Sequence, residues 1–234
     1  AKTSEGWRMY FGGYSKGTGY AFGVAQSTDE GATFTPLGST PVFSAGGADW
    51  DKKSINSPSI FRTAKAFNLA FAGSDMDVNG TNQIGIASSS DGLSPFVLSD
   101  TGPTLKTTDC AYCSKGVEFP AVIPDPSAPL TVAGAPTGWL MFFSAGGSGD
   151  ALGRATSDDG IHFVAEPAPL LAGDFFGEAV LLAPRVLVDG TVLKMYYTFA
   201  RVSDYKPGDL CGSTLNIGYA TSTVDTVQAI PIPD

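Results

Sequence analysis

One carboxyl group stands out by its neighbours. Glu118 lies in Val117-Glu118-Phe119-Pro120, between apolar residues and two positions ahead of a proline. Desolvation favours the neutral form of such a group, and a carboxylic acid that stays neutral near pH 7 can donate a proton in catalysis. The competing structural reading puts Glu118 in an ion pair with Arg185 or Lys115. Asp51 and Glu178 are further acids with a claim to a site. Each departs from a local repeat in which Asp49, Asp109 and Asp174 recur at equivalent places, and those three read as loop caps. Trp50, Tyr112, Phe175 and Phe176 offer flat apolar faces to a sugar ring, although packing is the commoner use of aromatics. Asn56 and Arg185 flank prolines equivalent to Pro120 and complete the set with polar contacts.

Other chemistries are narrowed by count. The chain has one histidine, His162, in a turn before Phe163. A histidine-based triad or a histidine-rich metal site is excluded on that ground, and His162 reads as structural or solvent-facing. Cys110-Ala111-Tyr112-Cys113 is a lone C-x-x-C motif. Zinc would need two more ligands, and only Cys211 and the distant histidine remain. A disulfide from Cys211 to Cys110 or Cys113, pinning the 198–216 loop, is the expected use, and it implies an oxidising compartment. Ser74-Asp75-Met76-Asp77-Val78-Asn79-Gly80 starts like a calcium loop but lacks the Glu that should follow. No metal and no cofactor are expected.

The elements that must position these residues follow from an internal repeat. Gly-x-Ala-x-Ser after an apolar residue occurs as Phe22–Ser27, Ile84–Ser89, Leu152–Ser157 and Ile217–Ser222. A period of about 60–70 residues marks one supersecondary unit stacked several times. Ahead of each copy runs a period-2 strand: Trp7-x-Met9-x-Phe11, Phe67-x-Leu69-x-Phe71, Trp139-x-Met141-x-Phe143 and Leu193-x-Met195-x-Tyr197. After the first three copies come the turns Asp29-Glu30-Gly31, Asp91-Gly92 and Asp159-Gly160, each followed by an aromatic, Phe34, Phe96 or Phe163. A further strand carries Pro58, Pro120 or Pro184, and proline belongs on an edge strand because it cannot donate to a ladder. The innermost strand of a propeller blade is such an edge.

The expectation is therefore an all-β fold, a β-propeller of four-stranded antiparallel blades, as a single domain over 1–234. Its repeats run approximately 1–55, 56–117, 118–181 and 182–234. The first unit lacks the proline strand, so either four blades close with a terminal strand or the chain is part of a longer propeller. Up-and-down connectivity puts Asn56, Glu118 and Arg185 at the channel mouth, and puts the Asp-Gly turns and His162 on the opposite face.

Composition agrees. With 43% hydrophobic and 16% charged residues the chain can bury a substantial core. A net charge of −9 disfavours nucleic acid as a partner and leaves a polysaccharide or a cation compatible. No apolar run is long enough for a membrane span, and Asn79-Gly80-Thr81 is a glycosylation sequon. The expected location is extracellular or periplasmic.

These motifs resemble the five-bladed propeller glycosidases of glycoside hydrolase families 43 and 32. The resemblance covers most of the chain. It rests on Ile-Gly-x-Ala-x-Ser-x-Asp-Gly-x-x-Phe, on Asp49-Trp50-Asp51 before the proline strand, and on Pro58-Ser59-Ile60 within it. It implies that Glu118-Phe119-Pro120 is the Glu-x-Pro of the general acid. Asn56-Ser57-Pro58 stands where those families place an Asp-Pro, and here Ser57 replaces the Asp. The first-blade Asp-Pro has no counterpart, so the chain resembles the later part of such a propeller. Glycosidases use two carboxylates, and Asp51 or Glu178 would supply the second. Ser27–Phe34 also matches the sialidase-type Asp-box, a structural turn. The implied function is a glycoside hydrolase-like propeller acting on or binding polysaccharide; the alternative is a non-catalytic carbohydrate-binding or protein-interaction propeller.

Overall fold

The computed structural model describes residues 1–16, 19–76, 81–128, 136–146, 150–173, 178–206 (the first two by backbone alone) and 212–223. Four antiparallel sheets stand in a ring as a four-bladed β-propeller. Blade 1 holds β1 (Lys2–Thr3), β2 (Gly6–Ser15), β3 (Gly19–Ser27), β4 (Thr35–Pro36) and β5 (Phe43–Ser44). Blade 2 holds β6 (Ser54–Arg62), β7 (Phe67–Ser74), β8 (Gln83–Ser89) and β9 (Val97–Leu98). Blade 3 holds β10 (Val117–Pro124), β11 (Trp139–Ala145), β12 (Ala151–Ser157), β13 (Val164–Ala165) and β14 (Leu171–Ala172). Blade 4 holds β15 (Glu178–Asp189), β16 (Val192–Arg201) and β17 (Asn216–Thr223).

Two details differ from the sequence reading. The first unit does have an inner strand, the stub β1, which pairs Lys2 with Trp7 just as β6 pairs Arg62 with Phe67. The outer strands are not continuous. In blades 1 and 3 two short segments pair separately with the third strand, because the chain leaves the sheet between them.

The apolar core lies between blades. Phe22, Val24 and Phe43 of blade 1 pack with Phe67, Leu69 and Phe71 of blade 2. Ile84 and Ile86 of blade 2 meet Trp139, Met141 and Phe143 of blade 3, and Leu140, Phe142 and Leu152 meet Leu193, Met195 and Tyr197 of blade 4. Each blade thus turns its period-2 apolar face to the blade before it. Burial of one such side chain contributes about 1.5–3 kcal/mol. The same face of blade 1 is partly open, with Trp7 40% and Phe11 39% exposed. The far face of blade 4 is open too, and Ile217 is 80% exposed.

The repeat signature acquires two structural reasons. Its glycine lies where an aromatic ring crosses the third strand. A methyl group on Gly85 would collide with Trp50, and one on Gly153 would stand 2.5 Å from Phe143 and 2.8 Å from Tyr112. Its serine builds the turn. Ser27, Ser89 and Ser157 donate to Asp29, Asp91 and Asp159 at 2.6, 3.1 and 3.0 Å, and accept from the backbone N–H of Gly31, Gly92 and Gly160. Hydrogen bonds from Ser27 and Thr33 hold the Asp29 carboxyl down at about 2. These turns are occupied with their own hydrogen bonds and lie away from the inner-strand starts. In blades 2 and 3 the aromatic after the turn reaches the preceding blade: Phe96 meets Tyr10 edge-on at 6.0 Å and Phe163 meets Phe61 at 6.5 Å.

Candidate functional site at the inner-strand bulges

The three long inner strands share one irregularity. Pairing with the second strand slips between Asn56 and Ser59, between Glu118 and Ala121, and between Leu182 and Arg185. Within each slip the residue before the proline adopts a left-handed backbone, with φ of 55° at Ser57, 53° at Phe119 and 51° at Ala183. A side chain bearing Cβ is strained there, by about 1–3 kcal/mol. The bulge accommodates the missing proline N–H and re-aims the residues beside it. Asn56, Glu118 and Leu182 stand at the same place, two residues before the proline, and they differ in chemistry. Leu182 is buried, and Asn56 accepts a hydrogen bond from its neighbour Ser57 at 2.9 Å.

Glu118 is half-buried. Asn82, immediately before β8 of blade 2, donates from Nδ2 to Oε2 of Glu118 at 2.9 Å. Burial pushes the Glu118 carboxyl above its ordinary range, and the Asn82 bond pulls the other way without reversing it. The ion pair considered for Glu118 is not formed. Lys115 pairs with Asp150 at 3.2 Å, and Arg185 donates to the Pro184 carbonyl at 2.8 Å. Among the described residues no cation contacts Glu118.

The other sequence candidates are placed elsewhere. Asp51 is 0% exposed. It sits in the 3-10 turn Asp49–Asp51, where Oδ1 accepts from the Ala48 N–H at 2.6 Å and Oδ2 has no partner. Cys113 holds the corresponding place in the turn Ala111–Cys113 and is 1% exposed, so the departure from the repeat at Asp51 falls on a core position. A fully buried carboxyl presents nothing to a polysaccharide. Burial pushes it up, against hydrogen bonds from Ala48 and Gly46. The native state therefore holds the Asp51 proton more tightly than the unfolded chain, and stability falls as pH rises from the unfolded to the folded pKa. Asp51→Asn is expected to flatten that fall, as read from urea midpoints between pH 4 and 8.

Trp50 and Tyr112 are packed, not presented. Trp50 stacks on Phe71 at 5.4 Å and donates to the Thr101 carbonyl, and Tyr112 stacks on Phe143 at 6.2 Å and donates to the Glu166 carbonyl. Arg185 is exposed, at the repeat position of Ser59 and Ala121. Ser59 accepts from the Val122 N–H across the blade seam at 3.2 Å, and Ala121 packs with Leu181 and Val186 of blade 4. That position faces the following blade, so Arg185 points to the open side of blade 4 rather than toward Glu118. Phe175 and Phe176 lie outside the described residues, as does the side chain of Glu178, whose backbone pairs with Arg201 at the start of β15.

The cysteine expectation is corrected. Cys110 and Cys113 bond to each other across one 3-10 turn, with Cα atoms 5.1 Å apart, inside the span a disulfide bridges. The bond closes a local turn and ties no second blade; Cys211 lies outside the described residues. His162 is exposed and contacts Asp159 at 2.7 Å and Asp100 at 3.6 Å, on the turn face. Much of the acidic loop after Ser74, with the sequon at Asn79, is outside the described residues. Among the described residues no group of three His, Cys, Asp or Glu side chains is arranged to hold a metal, and no helix is long and apolar enough to cross a membrane.

Sequence comparison finds no match to a family model or to a curated protein. Solved structures do match. A glycoside hydrolase superposes with a TM-score of 0.69 at 19% identity, over 94% of this chain and 68% of that one. The α-L-arabinofuranosidase of Lactobacillus brevis gives 0.65 at 15% identity, over 100% and 75% of the two chains. The fold is that of the glycoside hydrolase propellers. The GH32 β-fructofuranosidase of Bombyx mori, with sucrose bound, extends it at a TM-score of 0.62 and 14% identity, over 93% of this chain and 43% of that one. The resemblance read from the blade motifs thus holds for the glycosidase propeller architecture.

Proposed function

We propose that this propeller hydrolyses a glycosidic bond in a poly- or oligosaccharide, with Glu118 as the proton donor to the leaving oxygen. One observation carries the reading. Glu118 is the one acid at the three equivalent bulge positions, half-buried, without a cation among the described residues, and with its carboxyl pushed toward the neutral form. An acid in that state at neutral pH is what protonation of a glycosidic oxygen requires. Hydrolysis needs a second carboxylate about 5–10 Å from the first. Glu178, at the start of the inner strand of blade 4, takes that role here, as base or nucleophile. Asn56 supplies a polar contact at the neighbouring bulge. The disulfide supports an extracellular or periplasmic location.

Two matched structures are an α-L-arabinofuranosidase and a β-fructofuranosidase, so furanosides are the first substrates to try. The test is sugar release from a panel of alkyl glycosides and oligosaccharides, whose leaving groups need a proton, α-L-arabinofuranosides foremost, by the wild type and by Glu118→Gln. Turnover by the wild type and its loss in the variant are expected; equal turnover in both removes the assignment. A second reading has its own support, since Asn56 and Leu182 offer no acid where Glu118 does. It is a non-catalytic carbohydrate-binding propeller. Polysaccharide binding by calorimetry, unchanged in Glu118→Gln and without turnover in either protein, would select it.

A further inference from the structure

Asn82 makes two hydrogen bonds to consecutive residues of the next blade. Its backbone carbonyl accepts from the Val117 N–H at 2.9 Å, and its Nδ2 donates to Oε2 of Glu118 at 2.9 Å. The first bond anchors the donor to the start of β10, so the second is held in register whatever the side chain of Glu118 does. The donor is neutral. An arginine or lysine in its place would keep the acid ionised through a full charge, whereas an amide orients the carboxyl without that cost.

The bond also distinguishes the two carboxyl oxygens. In a neutral carboxylic acid one oxygen is a carbonyl acceptor and the other bears the hydrogen. An N–H aimed at Oε2 makes Oε2 the acceptor and leaves the proton on Oε1. We propose that Asn82 is the positioning residue of the site: it fixes the Glu118 carboxyl across the seam between blades 2 and 3 and assigns its proton to Oε1, the oxygen that would then donate it to the leaving group. This rests on Glu118 acting as a proton donor, but the coupling of Asn82 to the carboxyl can be read without any substrate.

The surroundings keep the reading simple. β7, β8 and β11 carry no ionisable side chain. On β6, Arg62 lies over the Phe67 ring; on β15, Asp189 is paired with Lys194, Arg185 bonds to Pro184, and Glu178 is the second carboxylate of the proposed reaction, so the titrations are compared among proteins that all retain it. Beside β10, Lys115 is paired with Asp150.

The test is a carboxyl 13C titration of the whole chain labelled at glutamate, with Glu118→Gln to identify the resonance. The wild-type Glu118 midpoint is expected above the ordinary glutamate range. In Asn82→Ala it is expected to rise further, because a donor to the ionised form is gone. In Asn82→Asp it is expected to rise as well, because a second carboxylate then faces Oε2. A midpoint that falls in Asn82→Ala would mean that Asn82 presents its carbonyl oxygen to the proton, and an unchanged midpoint would mean no coupling; either overturns the proposal. Asn82→Ser retains a short donor, and its midpoint is expected between those of the wild type and Asn82→Ala. It serves as the second variant if Asn82→Ala does not fold, and a midpoint identical to the wild type would then count against the proposal. For hydrolysis, Asn82→Ala is expected to lose about 10- to 100-fold in kcat with KM little changed, and the alkaline limb of its pH profile should move with the titration. A shifted midpoint in a protein that hydrolyses nothing would uphold the Asn82 contact while rejecting the hydrolase reading.

Discussion

Phe71→Ala is expected to lower stability by about 3–5 kcal/mol, the cost of a large cavity in a closed core. Phe71 is fully buried and touches Phe22 at 6.1 Å, Phe43 at 4.9 Å and Trp50 at 5.4 Å, so it joins two blades and the turn before β6. Phe11 is the same repeat position one blade earlier, 39% exposed on the open face of blade 1. Phe11→Ala is expected to cost only about 1–2 kcal/mol, because much of its surface already meets water. Urea denaturation of the two variants at one pH checks the pair. Equal losses would mean that the apolar face of blade 1 is covered in solution and that the seam between blades is not where the stability lies.

The second large effect concerns the reaction. Removing a general acid costs about 10²- to 10⁴-fold when the leaving group needs a proton, and much less when it departs unaided as a stable anion. Glu118→Ala is therefore expected to retain most activity on dinitrophenyl glycosides and to lose about 10²- to 10⁴-fold on alkyl or natural substrates. A defect of the same size on both kinds of leaving group would assign Glu118 to a binding contact. Glu178→Gln should show the opposite pattern, a loss on every substrate, since a base or nucleophile is needed whatever leaves.

The blades were legible in the sequence because their apolar residues alternate over five positions and recur with the Gly-x-Ala-x-Ser strand. The period of two forces one face inward, and the repeat supplies the neighbour that covers it. The turns were legible from Asp and Gly for the same local reasons that hold them in the fold. The broken outer strands were not, since their pairing depends on where the chain departs from the sheet. Pro58, Pro120 and Pro184 marked the inner strands, but the left-handed residues before them carry no signature of their own: serine, phenylalanine and alanine are ordinary strand or loop residues.

Asp51 shows how an acid misleads. Its departure from the repeat reads as function until burial is known, and the same position in blade 3 is a buried cysteine. Trp50 and Tyr112 carried their signal in a different residue, the glycine across which each ring lies. Asn82 was invisible, because it stands outside any periodic pattern and meets Glu118 only through the packing of blade 2 on blade 3. Glu118 itself was legible from its apolar neighbours and its proline, and the structure adds the absence of a cation partner among the described residues.

The pH dependence of kcat/KM tests the proton-donor role most directly. Glu118 is active when protonated, so activity should be present below its raised pKa and fall as pH rises through it, while the second carboxylate sets the acid limb. The measurement is the full profile on a substrate with a poor leaving group, for the wild type and Glu118→Gln. The expected result is a bell whose alkaline midpoint coincides with the carboxyl titration of Glu118 and disappears in the variant. An alkaline limb that persists in Glu118→Gln, or one that does not match that titration, would contradict it.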